Sequence, residues 1–214
     1  MAVRSATGRP RRPALRAAAV AAAVAVAGPG AAVTACGSHP HYSGVAPKKW
    51  GQTVCEAWNA WQQDTASRLA AFRTKTATLT LAADQRDQLV GLFDALGQTS
   101  AQMVTTVRDA GHPAVKEGPA AEDAYVSTLA AFQTTYSDAK TRAAGLPLDD
   151  NAKYTQDVQA ISAMLDSALK QITARISQIG RTYRDPKLTS ALGQPACRSL
   201  SLPAATTTTT TPGP

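Results

Sequence analysis

Residues 151–183 read NAKYTQDVQAISAMLDSALKQITARISQIGRTY, and this stretch decides the fold class. Its apolar side chains recur at steps of three and four residues, which places them on one stripe of an α-helix. The stripe consists of Tyr154, Val158, Ile161, Leu165, Leu169, Ile172, Ile176, Ile179 and Tyr183. Pro147 ends the preceding element, and Asp149 and Asp150 offer a cap and a negative charge at the positive helix end. The stretch therefore predicts one long amphipathic helix.

Three earlier segments repeat this spacing. They are marked by Val54, Trp58, Trp61, Thr65, Leu69 and Phe72; by Leu89, Phe93, Leu96, Ser100, Met103 and Val107; and by Tyr125, Leu129, Phe132, Tyr136, Ala139 and Ala143. The helix boundaries are marked by residues that commonly begin or end helices, namely Pro47, Gly111, Gly118 and Gly145. Residues 74–80 are rich in threonine, so they could end the first helix in a loop or start a short strand. Four helices with short connections predict an all-α fold, an antiparallel up-down four-helix bundle.

The cysteines give this topology an independent test. In such a bundle the start of the first helix and the end of the fourth helix lie at the same end, where Cys55 and Cys197 fall. We therefore expect a disulfide between Cys55 and Cys197, with residues 185–193 forming a short C-terminal helix that brings the chain back. Closing so long a loop should stabilise the fold by about 4 to 5 kcal/mol if chain entropy dominates. A mixed disulfide with another protein is the alternative.

The amino terminus has the three parts of a secretory signal peptide. Its Arg-rich start is followed by an apolar run at residues 17–27 and then by small residues. The apolar run is much shorter than the roughly 20 residues that span a bilayer, and glycine and proline at residues 28–30 end it. Residues 11–16 also look loosely like a twin-arginine export signal.

Val33, Thr34, Ala35 and Cys36 resemble the bacterial lipobox, in which an aliphatic residue and two small residues precede a cysteine. The resemblance implies cleavage before Cys36 and a diacylglycerol on its sulfur. An ordinary signal-peptidase site is the alternative, since Val33 and Ala35 also fit the small-residue rule. Three cysteines in an oxidising compartment leave one unpaired thiol, and lipidation of Cys36 would remove it.

These observations divide the chain into four parts. We expect a signal peptide at residues 1–35, a flexible tether at 36–46, a helical bundle domain at 47–200, and a disordered Thr/Pro-rich tail at 201–214. Residues 206–211 are six consecutive threonines and are candidate sites for O-linked sugars. A lipobox, one disulfide and such a tail resemble the small secreted lipoproteins of high-GC Gram-positive bacteria.

The charge of the chain depends on where it is cut. The whole sequence carries 22 basic and 15 acidic residues, a net +7. Five arginines lie in residues 1–16, so removal of residues 1–35 leaves 17 basic groups against 15 acidic groups, a net +2. Binding to nucleic acid or to an anionic membrane rests on clustered positive charge that releases counterions from phosphates, and the nearly neutral mature chain gives no such signal.

The mature sequence offers no strong candidate for catalysis or metal binding. His39 and His41 form an H-x-H pair on the predicted tether with no further ligand nearby, and His112 precedes a proline between two helices. No glutamate has a histidine three residues later, as di-iron bundles require, and neither C-x-x-C, G-x-S-x-G nor a phosphate-binding glycine loop occurs. We therefore predict a protein without enzymatic activity, catalytic residues, metal site or cofactor.

Two classes of function fit these predictions. The first is a membrane-anchored module on the outer face of the cell membrane, with the lipid bilayer and another envelope protein as partners. The alternative is a small-ligand carrier or sensor accessory to a transporter, which would need an internal cavity with converging polar groups. Trp50, Trp58 and Trp61 could line such a cavity, although core packing explains the last two more simply.

Overall fold

The computed structural model describes residues 41–200, apart from the side chain of Ser199. The predicted signal peptide, Cys36, His39 and the predicted tail lie outside the described residues. The described chain forms α1 (Pro47–Thr76), α2 (Ala82–Asp109), α3 (Gly118–Ala144), α4 (Asn151–Thr182), α5 (Pro186–Leu192) and a 3₁₀ turn (Pro195–Leu200). The predicted all-α fold with four long helices and a short C-terminal helix is confirmed. None of the helices in this part of the chain is both long and apolar enough to cross a membrane.

The long helices run up, down, up and down, so the molecule has two ends. At one end of the molecule, α1 and α3 begin and α2 and α4 terminate; we call it the tether end. We call the opposite one the far end. At the tether end Trp50 of α1 packs its ring edge-on against Tyr125 of α3, with ring centroids 5.6 Å apart. At the far end the beginnings of α2 and α4 lie side by side. Trp61 of α1 contacts Ser100 of α2, and the later Asp64 of α1 contacts the earlier Thr99, so α1 and α2 run in opposite directions.

Local sequence signals explain the helix boundaries. The carboxylate of Asp150 accepts a hydrogen bond from the backbone N–H of Lys153, so the predicted cap of α4 is confirmed. Asp185 caps α5 in the same way. The ambiguous threonine stretch continues α1 to Thr76 and then turns, so it ends the helix in a loop and starts no strand. The hydroxyl of Thr76 donates a hydrogen bond to the carbonyl of Phe72 within the helix.

The core contains the predicted stripes of α2 and α3, apart from the half-buried Leu89, but it buries those of α1 and α4 less completely. In α1, Val54, Trp58 and Trp61 are buried, whereas Thr65, Leu69 and Phe72 are half-buried. Of the nine predicted stripe residues of α4, only Ile161, Ile172, Ile176 and Ile179 are buried, and the others are half-buried. The reason is the packing of α4, which lies mainly on α3, whereas α1 packs on α2, α5 and the 3₁₀ turn. The bundle is therefore least closed between α1 and α4.

The chain is fixed to the bundle just before α1 begins. The backbone N–H of Val45 donates to the carbonyl of His112 (2.9 Å), and the N–H of Ala114 donates to the carbonyl of Val45 (2.7 Å). Gly44, at φ +121°, allows the close approach, since a Cβ there would lie 2.5 Å from the carbonyl oxygen of His112. Val45, which falls within the predicted tether of residues 36–46, is thus already part of the bundle.

Candidate functional site

Cys55 of α1 and Cys197 of the 3₁₀ turn form a disulfide at the tether end, as predicted, with Cα atoms 4.9 Å apart. Both cysteines are buried. Two hydrogen bonds hold the same contact: the Asn59 amide donates to the carbonyl of Ala196 (2.9 Å), and the Gln194 amide donates to the carbonyl of Lys48 (3.3 Å). The disulfide lies in a tightly packed region, which is the setting of a structural bond and not of an exposed redox thiol.

A glycine makes this packing possible. Gly51 of α1 is buried against α5, and a Cβ at this position would lie 2.7 Å from the backbone oxygen of Ala191. Only a residue without a side chain lets the two backbones come so close. The approach of α5 to α1 then sets the distance that the disulfide spans.

The three tryptophans pack against other aromatic rings of the bundle interior. The ring centroid of Trp61 lies 5.0 Å from that of Trp58 and 4.6 Å from that of Phe132. The indole N–H of Trp61 donates to the hydroxyl of Ser100 (2.9 Å), which in turn donates to the carbonyl of Leu96 (2.8 Å). The rings fill the space that a ligand carrier would need between its helices.

A groove of about 450 Å³ lies on the outside of the bundle between α1 and α2. Its polar side chains are already engaged with one another, since Asp64 accepts hydrogen bonds from Arg68 and from the hydroxyl of Thr99. These bonds, with that from Arg68 the larger cause, hold the pKa of the Asp64 carboxyl below its usual value. The groove therefore offers an ionised carboxylate whose acceptor positions are largely satisfied from within the protein.

The far end has a different surface. Leu81, at the start of α2, is 63 % exposed, and Leu148, just before α4, is 42 % exposed. The two chain neighbours of Leu81 help to line a cleft of about 330 Å³ between α2 and α4, whose lining consists of Thr80, Ala82, Gln85, Asn151, Tyr154, Thr155, Val158 and Gln159. The far end thus combines protruding leucines with a cleft of amide and hydroxyl groups.

Tyr154 is the least satisfied polar group of this cleft. Its hydroxyl is buried and has no hydrogen-bond partner in the described part of the chain. Burial raises the pKa of the phenol, and the nearby Arg86 partly offsets that rise. A buried hydroxyl without a partner is uncommon in folded proteins, because leaving it unsatisfied costs free energy.

The two described histidines, His41 and His112, lie in no group of possible metal ligands, and two aspartates of α2 are paired with basic side chains. His41 is exposed, and His112 lies half-buried in the loop that holds Val45. Asp94 pairs with Lys140 of α3 (2.6 Å), and Asp87 with Arg86 (2.9 Å). Within residues 41–200, no three histidine, cysteine, aspartate or glutamate side chains are grouped so that they could hold a metal ion.

Leu81 and Leu148 were missed by the sequence analysis, which looked for apolar residues at helical spacing. Both leucines stand in connections between helices and outside every stripe. No sequence signal separates Leu148 from Leu146, which lies in the same connection and is buried in the core.

Comparison with known proteins gives no relative from which a function could be transferred. No protein-family profile, curated protein sequence or solved structure matches this chain. The case for a function rests on the chain's own residues.

Proposed function

We propose that this protein is a lipoprotein of the outer face of the cell membrane, anchored through Cys36, and that it is a non-enzymatic module that binds another envelope protein. The lipobox-like Val33-Thr34-Ala35-Cys36, placed after an Arg-rich start and an apolar run, is the observation that carries the proposal. The pairing of Cys55 with Cys197 supports it, because Cys36 is then the one cysteine left for a lipid.

The surface of the far end supports the second half of the proposal. A module held by a lipid near α1 would present the opposite end of its bundle to the rest of the envelope, and Leu81 and Leu148 are exposed there. Exposed apolar side chains, together with polar groups that can form hydrogen bonds with a partner, are typical of protein interfaces. We therefore infer that the partner binds at the far end and covers these leucines.

The small-ligand carrier is the second candidate, and one observation favours it. The cleft beside Tyr154 contains an unpartnered hydroxyl and several amide groups, as a site for a small polar molecule would. Against it, the clefts described here are open surface grooves, and aromatic rings fill the interior. The protein-binding module is therefore the better supported of the two.

Detergent-phase partition of the protein from its producing cells tests the anchor. We expect the wild-type chain to enter the detergent phase and the Cys36→Ser variant to stay in the aqueous phase. Cys55→Ser is the matched control, since it removes another cysteine and should still partition into detergent. A wild-type chain in the aqueous phase would contradict the lipid anchor.

A photo-crosslinking amino acid at position 81 tests the partner surface in intact cells. We expect one discrete crosslinked protein from position 81 and none from position 133, which is exposed on α3 away from the far end. Crosslinks of equal yield from both positions would show that the far end is not the binding surface. A thermal shift of the pure protein with small envelope metabolites, abolished by Tyr154→Phe, would instead favour the carrier.

A further inference from the structure

The charges of the bundle are distributed unevenly along its axis. When each long helix is divided at its midpoint and the connections, α5 and the 3₁₀ turn are counted with the end at which they lie, the half at the tether end contains ten basic and six acidic side chains, a net +4. The far half contains seven basic and nine acidic side chains, a net −2. The basic residues of the tether-end half are Lys48, Lys49, Arg108, Lys116, Lys170, Arg175, Arg181, Arg184, Lys187 and Arg198. The nearly neutral mature chain is therefore an electric dipole whose positive end is the tether end.

Four lysines at the tether end are exposed and could bind an external anion. Lys48, Lys49, Lys116 and Lys187 are exposed, and none of them forms an ion pair within residues 41–200. All four ion pairs of the described residues lie in the far half, those of Lys140 with Asp94 and of Lys153 with Asp157 among them. The positive charge of these four lysines is thus not neutralised by an ion pair within residues 41–200.

Two of these lysines share one surface cleft. Lys48, at the start of α1, and Lys187, at the start of α5, line a cleft of about 520 Å³ together with Pro47, Pro186, Ser190 and Gln194. The Cys55–Cys197 disulfide and the close packing of Gly51 on α5 keep the two helix starts together. The spacing of these positive charges is therefore fixed by the fold.

The point of attachment lies at the same end. Val45 is held against Pro113 at the tether end and follows Cys36 by nine residues. Nine residues span at most about 30 Å when fully extended. The 30 residues of α1 extend about 45 Å, at 1.5 Å per residue. A lipid on Cys36 would consequently keep the basic end near the bilayer and leave the far end in solution.

We propose that the tether end docks on the anionic phospholipid surface of the membrane, with Lys48, Lys49 and Lys187 against the headgroup phosphates. The inference rests on the proposed lipid anchor at Cys36 for its orientation, and on charge complementarity for its partner. Each basic side chain close to an anionic bilayer strengthens binding about fivefold. The acidic far half is too distant to oppose this, because salt screens charges beyond about 8 Å at physiological ionic strength.

Vesicle co-sedimentation tests the docking surface without the lipid. The mature chain from residue 36 onward, with Cys36→Ser, is mixed with vesicles of phosphatidylglycerol and phosphatidylcholine or of phosphatidylcholine alone. We expect binding only to the anionic vesicles, weakened by added salt, and at least tenfold weaker for the double variant Lys48→Gln, Lys187→Gln. The matched control is Arg73→Gln, Lys75→Gln, which removes two exposed basic residues from the far end and should keep wild-type binding.

Three results would overturn the inference: equal binding to neutral vesicles, unchanged binding of the Lys48, Lys187 variant, or an equal loss in the control. Displacement from the vesicles by millimolar inorganic phosphate would also overturn it, because it would indicate a site for one free phosphate and not a surface. Circular dichroism checks that each variant is folded. Since this chain carries no lipid, a failure here is distinguishable from a failure of the anchor, which the detergent partition measures separately.

Discussion

Ser100 is a small polar residue in the middle of the aromatic interior. It is fully buried, accepts a hydrogen bond from the indole of Trp61 and donates to the carbonyl of Leu96. The apolar spacing predicted that Ser100 lies on the buried stripe of α2. Its hydrogen-bond donor could not be predicted, because Trp61 lies 39 residues away on another helix. Periodicity predicts which side of a helix is buried, whereas contacts between helices depend on how the helices are docked.

We expect Ser100→Ala to lower the free energy of unfolding by about 1 to 3 kcal/mol, because it leaves the buried Trp61 N–H without an acceptor. Urea unfolding followed by tryptophan fluorescence measures this change. Thr106→Ala is the matched control on the same helix, since the exposed Thr106 hydroxyl bonds only to the carbonyl of Gln102. Equal stability of the two variants would show that the Trp61 contact contributes nothing.

Tyr125 and Tyr136 are the titratable groups most affected by the core. Burial raises the pKa of each phenol to about 12. Because the folded pKa is higher than the unfolded value near 10, the stabilisation is fully present below pH 10 and is lost as the pH rises towards 12. Two pKa units correspond to about 3 kcal/mol for each tyrosine.

We therefore expect alkaline unfolding between about pH 10 and 12, with tyrosinate absorbance and loss of helicity rising together for these two residues. Tyr136→Phe should move the midpoint to higher pH, because one of the groups that ionises on unfolding is gone. Tyr42→Phe changes a tyrosine that is 40 % exposed and should leave the midpoint in place. Titration of all five tyrosines near pH 10 with helicity intact would contradict this account.

At the scale of elements, replacing a glycine by alanine should have opposite effects on stability in α1 and in α2. Gly51 lies where α1 meets the backbone of α5, whereas a Cβ on Gly91 of α2 would contact nothing within 4 Å. We expect Gly51→Ala to destabilise the protein by about 1 to 3 kcal/mol through overpacking. Gly91→Ala should stabilise it by roughly 0.5 to 1 kcal/mol, because alanine has the higher helix propensity.

Thermal unfolding of the two alanine variants separates these effects, since the same substitution should shift the melting temperature in opposite directions. Shifts of the same sign would mean that the contact between α1 and α5 is looser than described here.

Most elements could be predicted from sequence, and the reason is local. The cap at Asp150 and the stripes of α1, α2 and α3 depend on residues within a few turns of one another. The partial exposure of α4 could not be predicted, because its stripe fixes only which side is apolar. Which helix covers that stripe depends on α5 and the 3₁₀ turn, which lie against α1.

For the molecule as a whole, the bundle has two ends that differ in chemistry. One end holds the disulfide, the hydrogen-bonded Val45 and a net positive charge, and the other exposes Leu81 and Leu148 and contains the cleft of Tyr154. The topology could be predicted from four stripes and two cysteines. The separation of charge could not, since it appears only when the antiparallel order places distant segments at one end.

Intact-mass spectrometry of the protein from its producing cells tests most directly whether Cys36 carries a lipid while Cys55 and Cys197 form a disulfide. We predict a species that lacks residues 1–35, carries the added mass of a diacylglycerol on Cys36, and gains two hydrogens on reduction of the Cys55–Cys197 bond. A mature chain with an unmodified Cys36, or with Cys36 bonded to Cys55 or Cys197, would contradict it.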